Sequence, residues 1–137
     1  MEILDADWQA FLALLDFLER SDPPSNAHMK TMEKARYPDF FSMSEAQIAR
    51  IINGAKPQAL KFLQRPDAQN FIKSIANNLG AQVKIVSDQL ADQQRFGETM
   101  APAYANRIGV ILRKAKRKDL SDRFGVAYDK HAAASPY

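Results

Sequence analysis

Seven apolar residues between Pro66 and Arg95 constrain this chain more than anything else in it. Ile72, Ile75, Ala76, Leu79, Val83, Val86 and Leu90 recur at steps of one, three or four. At about 100° per residue they fall within roughly 100° of arc, a single stripe for core contact. Pro66 suits a first helical position because its missing N–H has no partner there, and Asp67 then puts negative charge where the helix dipole favours it. The stripe keeps phase across Gly80, which predicts one helix over about 66–95, roughly 45 Å long at 1.5 Å per residue. The rival reading makes Asn77–Gly80 a C-cap, with Gly80 left-handed and a second helix from Ala81. Continuity is the stronger expectation, since phase would be kept across a turn only by coincidence.

The remaining periodic stretches are also helical. Asp7 is placed to cap a helix running to about Arg20, with Leu4, Trp8, Phe11, Leu12, Leu15 and Leu18 inward. Leu14 and Phe17 lie off that stripe, so this helix is apolar nearly all round and is expected to meet a second surface, a partner or another copy of the chain. After the turn at Asp22-Pro23-Pro24, Ser25 is placed to cap a helix over about 26–36, with Met29 and Met32 inward and Pro38 as its stop. Phe40 and Phe41 are expected to plug the core from the connector that follows. Ser44 and Gln47 form a capping-box pattern opening a third helix with Ile48, Ile51 and Ile52 inward. Asn53-Gly54 ends it, and Pro57 restarts a short helix through Phe62 and Leu63.

Near the C-terminus, Tyr104, Ile108, Ile111, Leu112 and Ala115 mark the inner face of a helix that begins between Thr99 and Pro102. It ends in the basic run Arg113 to Lys118. One turn over 121–124, closed by Gly125, and a short last helix from about Val126 complete the reading. Val, Ile and Thr neither cluster nor alternate, so no strand is expected. The prediction is an all-α single domain over 1–137: a bundle of five to seven helices around a long central one.

Composition narrows function mainly by exclusion. With no Cys, thiolate catalysis and thiolate metal sites are ruled out, in keeping with a reducing, cytoplasmic setting. His28 and His131 are the only histidines, and no phosphate loop, Gly-x-Ser-x-Gly elbow or His-Glu-x-x-His motif is present. Nothing picks Glu45, Asp88, Asp92 or Glu98 out from solvated charge. A catalytic role, a cofactor and a metal site are therefore not expected, and neither is a membrane span, since no apolar run approaches 18 residues.

Charge is the positive signal. Residues 1–33 hold seven acids against Arg20 and Lys30, a balance of −5; residues 34–137 carry +8, giving the net +3. A basic C-terminal half of this kind suits polyanions. Three segments compete to use it. Ser44–Leu63 resembles a helix-turn-helix or a helix-hairpin-helix in outline, although Lys56 stands where the latter would have a second Gly; a plain helical corner is the simpler reading. Leu120–Val126 resembles the first helix and turn of a helix-turn-helix, followed by a very short second helix. The run 113–118 has five cations in six residues, more than dipole complementation requires, although cations spread around a helix cannot all reach one flat surface.

The expected function is a non-enzymatic accessory protein touching nucleic-acid phosphates through Lys56, Lys61, Arg65, Arg107, Arg113, Lys114, Lys116, Arg117 and Lys118. The alternative is a protein-binding adaptor or inhibitor that turns the same basic face, with Leu14 and Phe17 on the first helix, toward an acidic partner. A homodimer through that first helix is part of the same expectation.

Overall fold

A computed structural model describes residues 2–36, 43–48 and 58–137 of the chain. Its α-helices are α1 (Asp5–Arg20), α2 (Asn26–Arg36), α3 (Ala68–Ser74), α4 (Leu79–Phe96), α5 (Ala103–Lys114) and α6 (Lys118–Ala132). A helical turn at 45–48 and a 3-10 turn at Lys61–Gln64 add to these, and no strand occurs among the described residues. The all-α bundle is thus the architecture. No helix among these residues is long and apolar enough to cross a membrane.

Four helices make a closed ring: α1 packs on α4, α4 on α5, α5 on α6, and α6 back on α1, while α2 packs on α4. Each ring helix contributes one stripe at helical spacing: Phe11, Leu14, Leu15 and Leu18; Leu79, Val83, Val86 and Leu90; Ala105, Ile108, Ile111 and Leu112; Leu120, Phe124, Ala127 and Tyr128. Phe11 meets Phe124 edge-on, with centroids 5.7 Å apart, and so joins opposite ends of the sequence inside the ring. Burial of these side chains, at about 1.5–3 kcal/mol each for the larger ones, holds the ring together.

The central helix is shorter than the stripe predicts. The chain leaves helix after Ser74, turns through Ile75–Asn77, and re-enters at Leu79. Asn78 causes the break: its backbone is extended, at φ −98° and ψ 103°, and its Oδ1 accepts the Ala81 N–H at 3.0 Å as an N-cap. Gly80 is therefore in the first turn of α4 and is not left-handed. A Cβ there would lie 2.3 Å from Asp7 Oδ1 on α1, so the Asp7 carboxylate, the end of a half-buried side chain, would have to swing aside. Pro66 and Asp67 fall in the turn before α3, where Asp67 pairs with Arg65 at 2.8 Å.

Helix α1 also departs from expectation. It starts at Asp5, so Asp7 is a first-turn residue, and no side chain caps it. Its buried face is Phe11, Leu14, Leu15 and Leu18, turned about 40° from the predicted one. Leu14 is taken into the core while Leu12 and Leu4 are left 42% and 67% exposed. Two predicted caps are present. Ser25 Oγ accepts the His28 N–H at 3.1 Å, and Ser44 with Gln47 makes both capping-box bonds, at 3.0 and 3.3 Å. The expectations for Phe40, Phe41, Ile51, Ile52 and the 53–57 corner lie outside the described residues.

The turn predicted at Gly125 does not exist. α6 runs unbroken from Lys118 to Ala132, because Leu120, Phe124, Ala127, Tyr128 and His131 continue one buried face straight through it. This removes the second helix-turn-helix reading. A Cβ at Gly125 would meet nothing within 4 Å. Gly125→Ala should therefore stabilise the protein by about 0.5–1 kcal/mol through backbone entropy. In thermal melts that corresponds to a Tm higher by roughly 2–6 °C; an unchanged or lower Tm would contradict an uninterrupted α6.

Buried polar groups on α4 fasten the ring to its connectors. Gln82, Gln89 and Gln93 donate their side-chain amides to the carbonyls of Ile75, Ala101 and His131 at 3.0, 3.1 and 2.9 Å. Asp92, 4% exposed, accepts the backbone N–H groups of Gln58 and Ala59, the latter at 2.9 Å. His131, 1% exposed, sets Nε2 3.0 Å from the Leu18 carbonyl and 3.1 Å from that of Ser21. Two acceptors facing one nitrogen mean that Nε2 carries the hydrogen, which satisfies carbonyls that the end of α1 leaves without helical partners.

Candidate nucleic-acid interface

The basic run does not decorate one helix end; it wraps a corner. α5 stops at Lys114, and the chain reverses through Ala115–Arg117 into α6. The reversal is a Schellman turn: Arg117 N–H reaches Leu112 O at 2.9 Å, and Lys116 N–H reaches Arg113 O at 3.0 Å. The left-handed residue this turn needs is usually glycine, but here it is Lys116, at φ +62°. Holding a residue with a Cβ there costs roughly 1 kcal/mol. Five cations therefore come from the last turn of one helix, the connector and the first residue of the next.

Arg107 and Lys114 on α5 reach across to the turn after α3. Arg107 donates Nε to the Ala76 carbonyl and Nη2 to Asn77 Oδ1; Lys114 Nζ lies 3.4 Å from the same Oδ1. Arg113 Nη1 donates to Ser121 Oγ at 3.2 Å. Ser121 in turn donates to the Gly109 carbonyl at 3.3 Å, where a Cβ on residue 109 would press on that hydroxyl at the same distance. This close crossing of α5 and α6 sets the shape of the corner.

Carboxylates meet some of the charge. Arg117 forms a two-pronged pair with Asp119 at 3.0 and 2.9 Å, which holds the Asp119 carboxyl below its ordinary range. Lys118 lies 3.3 Å from Asp122. Lys116 is exposed, and Arg107, Arg113, Lys114 and Lys116 have no carboxylate partner among the described residues. Six cations against two acids leave the corner, over residues 107–122, at about +4. Arg123 lies just beyond and is spent on Glu19 of α1, at 2.7 Å, which lowers the Glu19 pKa.

The rest of the predicted contact set does not join this corner. Arg65 pairs with Asp67 and sits 4.6 Å over the Phe71 ring. Phe71 packs on Phe62, and Phe62 meets Tyr104 edge-on at 5.9 Å. Tyr104 opens α5 while Lys114 closes it, so about 15 Å of helix separates that cluster from the corner. Lys61, exposed on the 3-10 turn, belongs to the same remote segment and lines a cavity of about 250 Å³ with Gln89 and Asp92. Lys56 lies outside the described residues.

Leu14 and Phe17 part company. Leu14 is buried in the core, which removes it as a free surface residue; Phe17 is 41% exposed, with its ring 6.1 Å from that of His131. Both line an open groove of about 340 Å³ between α1 and α4, with Ala13, Leu90 and Ala91. Asn77 is the residue that sequence reasoning missed. Its neighbours Asn78 and Gly80 signalled a turn, but its partners lie 30 and 37 positions away. Comparison with protein-family models, curated proteins and solved structures finds no match, so a functional reading has to stand on this geometry.

Proposed function

We propose that the protein is a non-enzymatic accessory protein that contacts the phosphate backbone of nucleic acid through the corner between α5 and α6. The observation that supports this most is the corner's charge: about +4 on one reversal of the chain, with Lys116 exposed on it. Phosphate contacts of this kind position a protein without reading sequence, so affinity should be insensitive to base order. A cytoplasmic setting goes with this reading.

Titrating a short DNA duplex at several salt concentrations tests it. Three or four phosphate contacts predict a log–log slope of roughly −3, since each releases about 0.9 counterion. Lys116→Gly should flatten that slope by about one unit. It should also leave the fold intact, because glycine suits the left-handed backbone at φ +62° better than lysine does. Absence of binding even at low salt would end this reading.

The groove between α1 and α4 supports a second reading, an adaptor or inhibitor that binds a protein with an acidic surface. On that reading Phe17 anchors the contact, with a partner or with a second copy of the chain, and nucleic-acid affinity at about 150 mM salt is negligible.

A further inference from the structure

We infer that Arg107, Lys114 and Asn77 form a seat for one phosphate group; the inference rests on the reading of the corner as a phosphate-contacting surface and gives it a specific anchor. Asn77 Oδ1 accepts from Arg107 Nη2 at 2.5 Å and from Lys114 Nζ at 3.4 Å, so the two cationic nitrogens lie no more than about 6 Å apart. The oxygen between them is a neutral amide. Neither cation has a carboxylate partner among the described residues. Two like charges held this close repel each other, and an anion bridging them removes the repulsion while gaining both attractions.

Arg107 is arranged in advance for that role. Its Nε is fixed on the Ala76 carbonyl, which occupies that carbonyl and fixes the plane of the guanidinium. These two bonds leave the second hydrogen of Nη2 and both of Nη1 for a ligand, the fork that suits two phosphate oxygens. Lys114, exposed on the last turn of α5, adds a mobile point charge. Because the two cations fix which end of the Asn77 amide is the oxygen, its NH2 group on this exposed residue is left as a further donor. The seat lies where the α3–α4 turn meets the end of α5, beside the basic run, so a backbone tracking the corner can place one phosphate in it. The chemistry recognised is a phosphate dianion or diester, and either free phosphate or a nucleic-acid backbone can supply it.

NMR of the intact protein separates these sources. Inorganic phosphate, added against chloride at matched ionic strength, should shift the Arg107 Nε–H and Asn77 side-chain amide signals with a Kd on the order of 1 mM. Lys114→Gln, an exposed position, should weaken phosphate about tenfold, the loss of one charge-assisted bond. Asn77→Ala should weaken it less, because both cations remain. A short duplex should shift the same two signals. Equal shifts with chloride, or unchanged phosphate affinity in Lys114→Gln, would overturn the seat. A duplex that binds through Arg113–Lys118 while leaving Arg107 and Asn77 unmoved would overturn the seat and spare the nucleic-acid reading. Phosphate in the seat with no duplex binding would uphold the seat and overturn that reading.

Discussion

Gly97→Ala is expected to cost about 2–5 kcal/mol of stability, although it adds a single methyl group. Two effects add. Gly97 closes α4 in the left-handed region, at φ +70°, with its N–H on the Gln93 carbonyl at 3.0 Å. An alanine there loses roughly 1–2 kcal/mol relative to glycine. The new Cβ would also stand 2.5 Å from the Met29 carbonyl oxygen, a backbone atom of α2. Backbone cannot swing aside as a side-chain end can, so α2 must shift, at a cost on the order of 1–3 kcal/mol. Gly97→Asn separates the two, since asparagine tolerates left-handed backbone but carries the same Cβ. Urea unfolding should show both variants well below wild type, with asparagine less affected. A loss under about 1 kcal/mol in alanine would mean that α2 does not sit against the end of α4.

How far the sequence spoke for this fold depends on which signal is asked. Periodicity found the buried faces of α4 and α5, because Leu79, Val83, Val86, Leu90, Ile108, Ile111 and Leu112 are all core residues. It could not find the break at Ile75–Asn78. Phase records angle and not path, and a short turn returned the chain to the core with Ile75 still buried. The signal for the break lay instead in Asn78, whose side chain reaches three residues forward to cap α4. Glycine misled in the other direction at Gly125, where the continuing apolar face outweighs one poor helix former. On α1, an apolar side chain at nearly every position left the rotation undetermined by about 40°, and packing chose Leu14 over Leu12. The candidate site shows the same division. A run of cations is visible in one dimension. That it wraps a corner is not, since the left-handed turn falls on a lysine, and neither is the convergence of Arg107 and Lys114 on Asn77.

Val86→Asp should abolish folding at 25 °C. Val86 is fully buried, at 0% exposure, midway along the helix that packs on α1, α2 and α5. The aspartate would stand in the cluster of Phe11, Leu15, Ile108 and Ile111, without a cation among the core side chains to pair with. An ionised carboxylate held there costs several kcal/mol, and neutralising it instead still buries a polar group without a partner. The lost burial of valine adds about 1.5 kcal/mol or more. Against a total stability of roughly 5–15 kcal/mol for a domain of this kind, the sum removes most or all of it. The control is the same substitution on the outside. Val126 is 76% exposed on α6, between Asp122 and Lys130 one turn either way, so the new charge is repelled and attracted by similar amounts. Val126→Asp should therefore stay within about 0.5 kcal/mol of wild type. Far-UV circular dichroism with urea titration reads both. A cooperative native transition surviving in Val86→Asp would remove α4 from the centre of the bundle, whereas equal damage from Val126→Asp would mean that the outer face of α6 is buried.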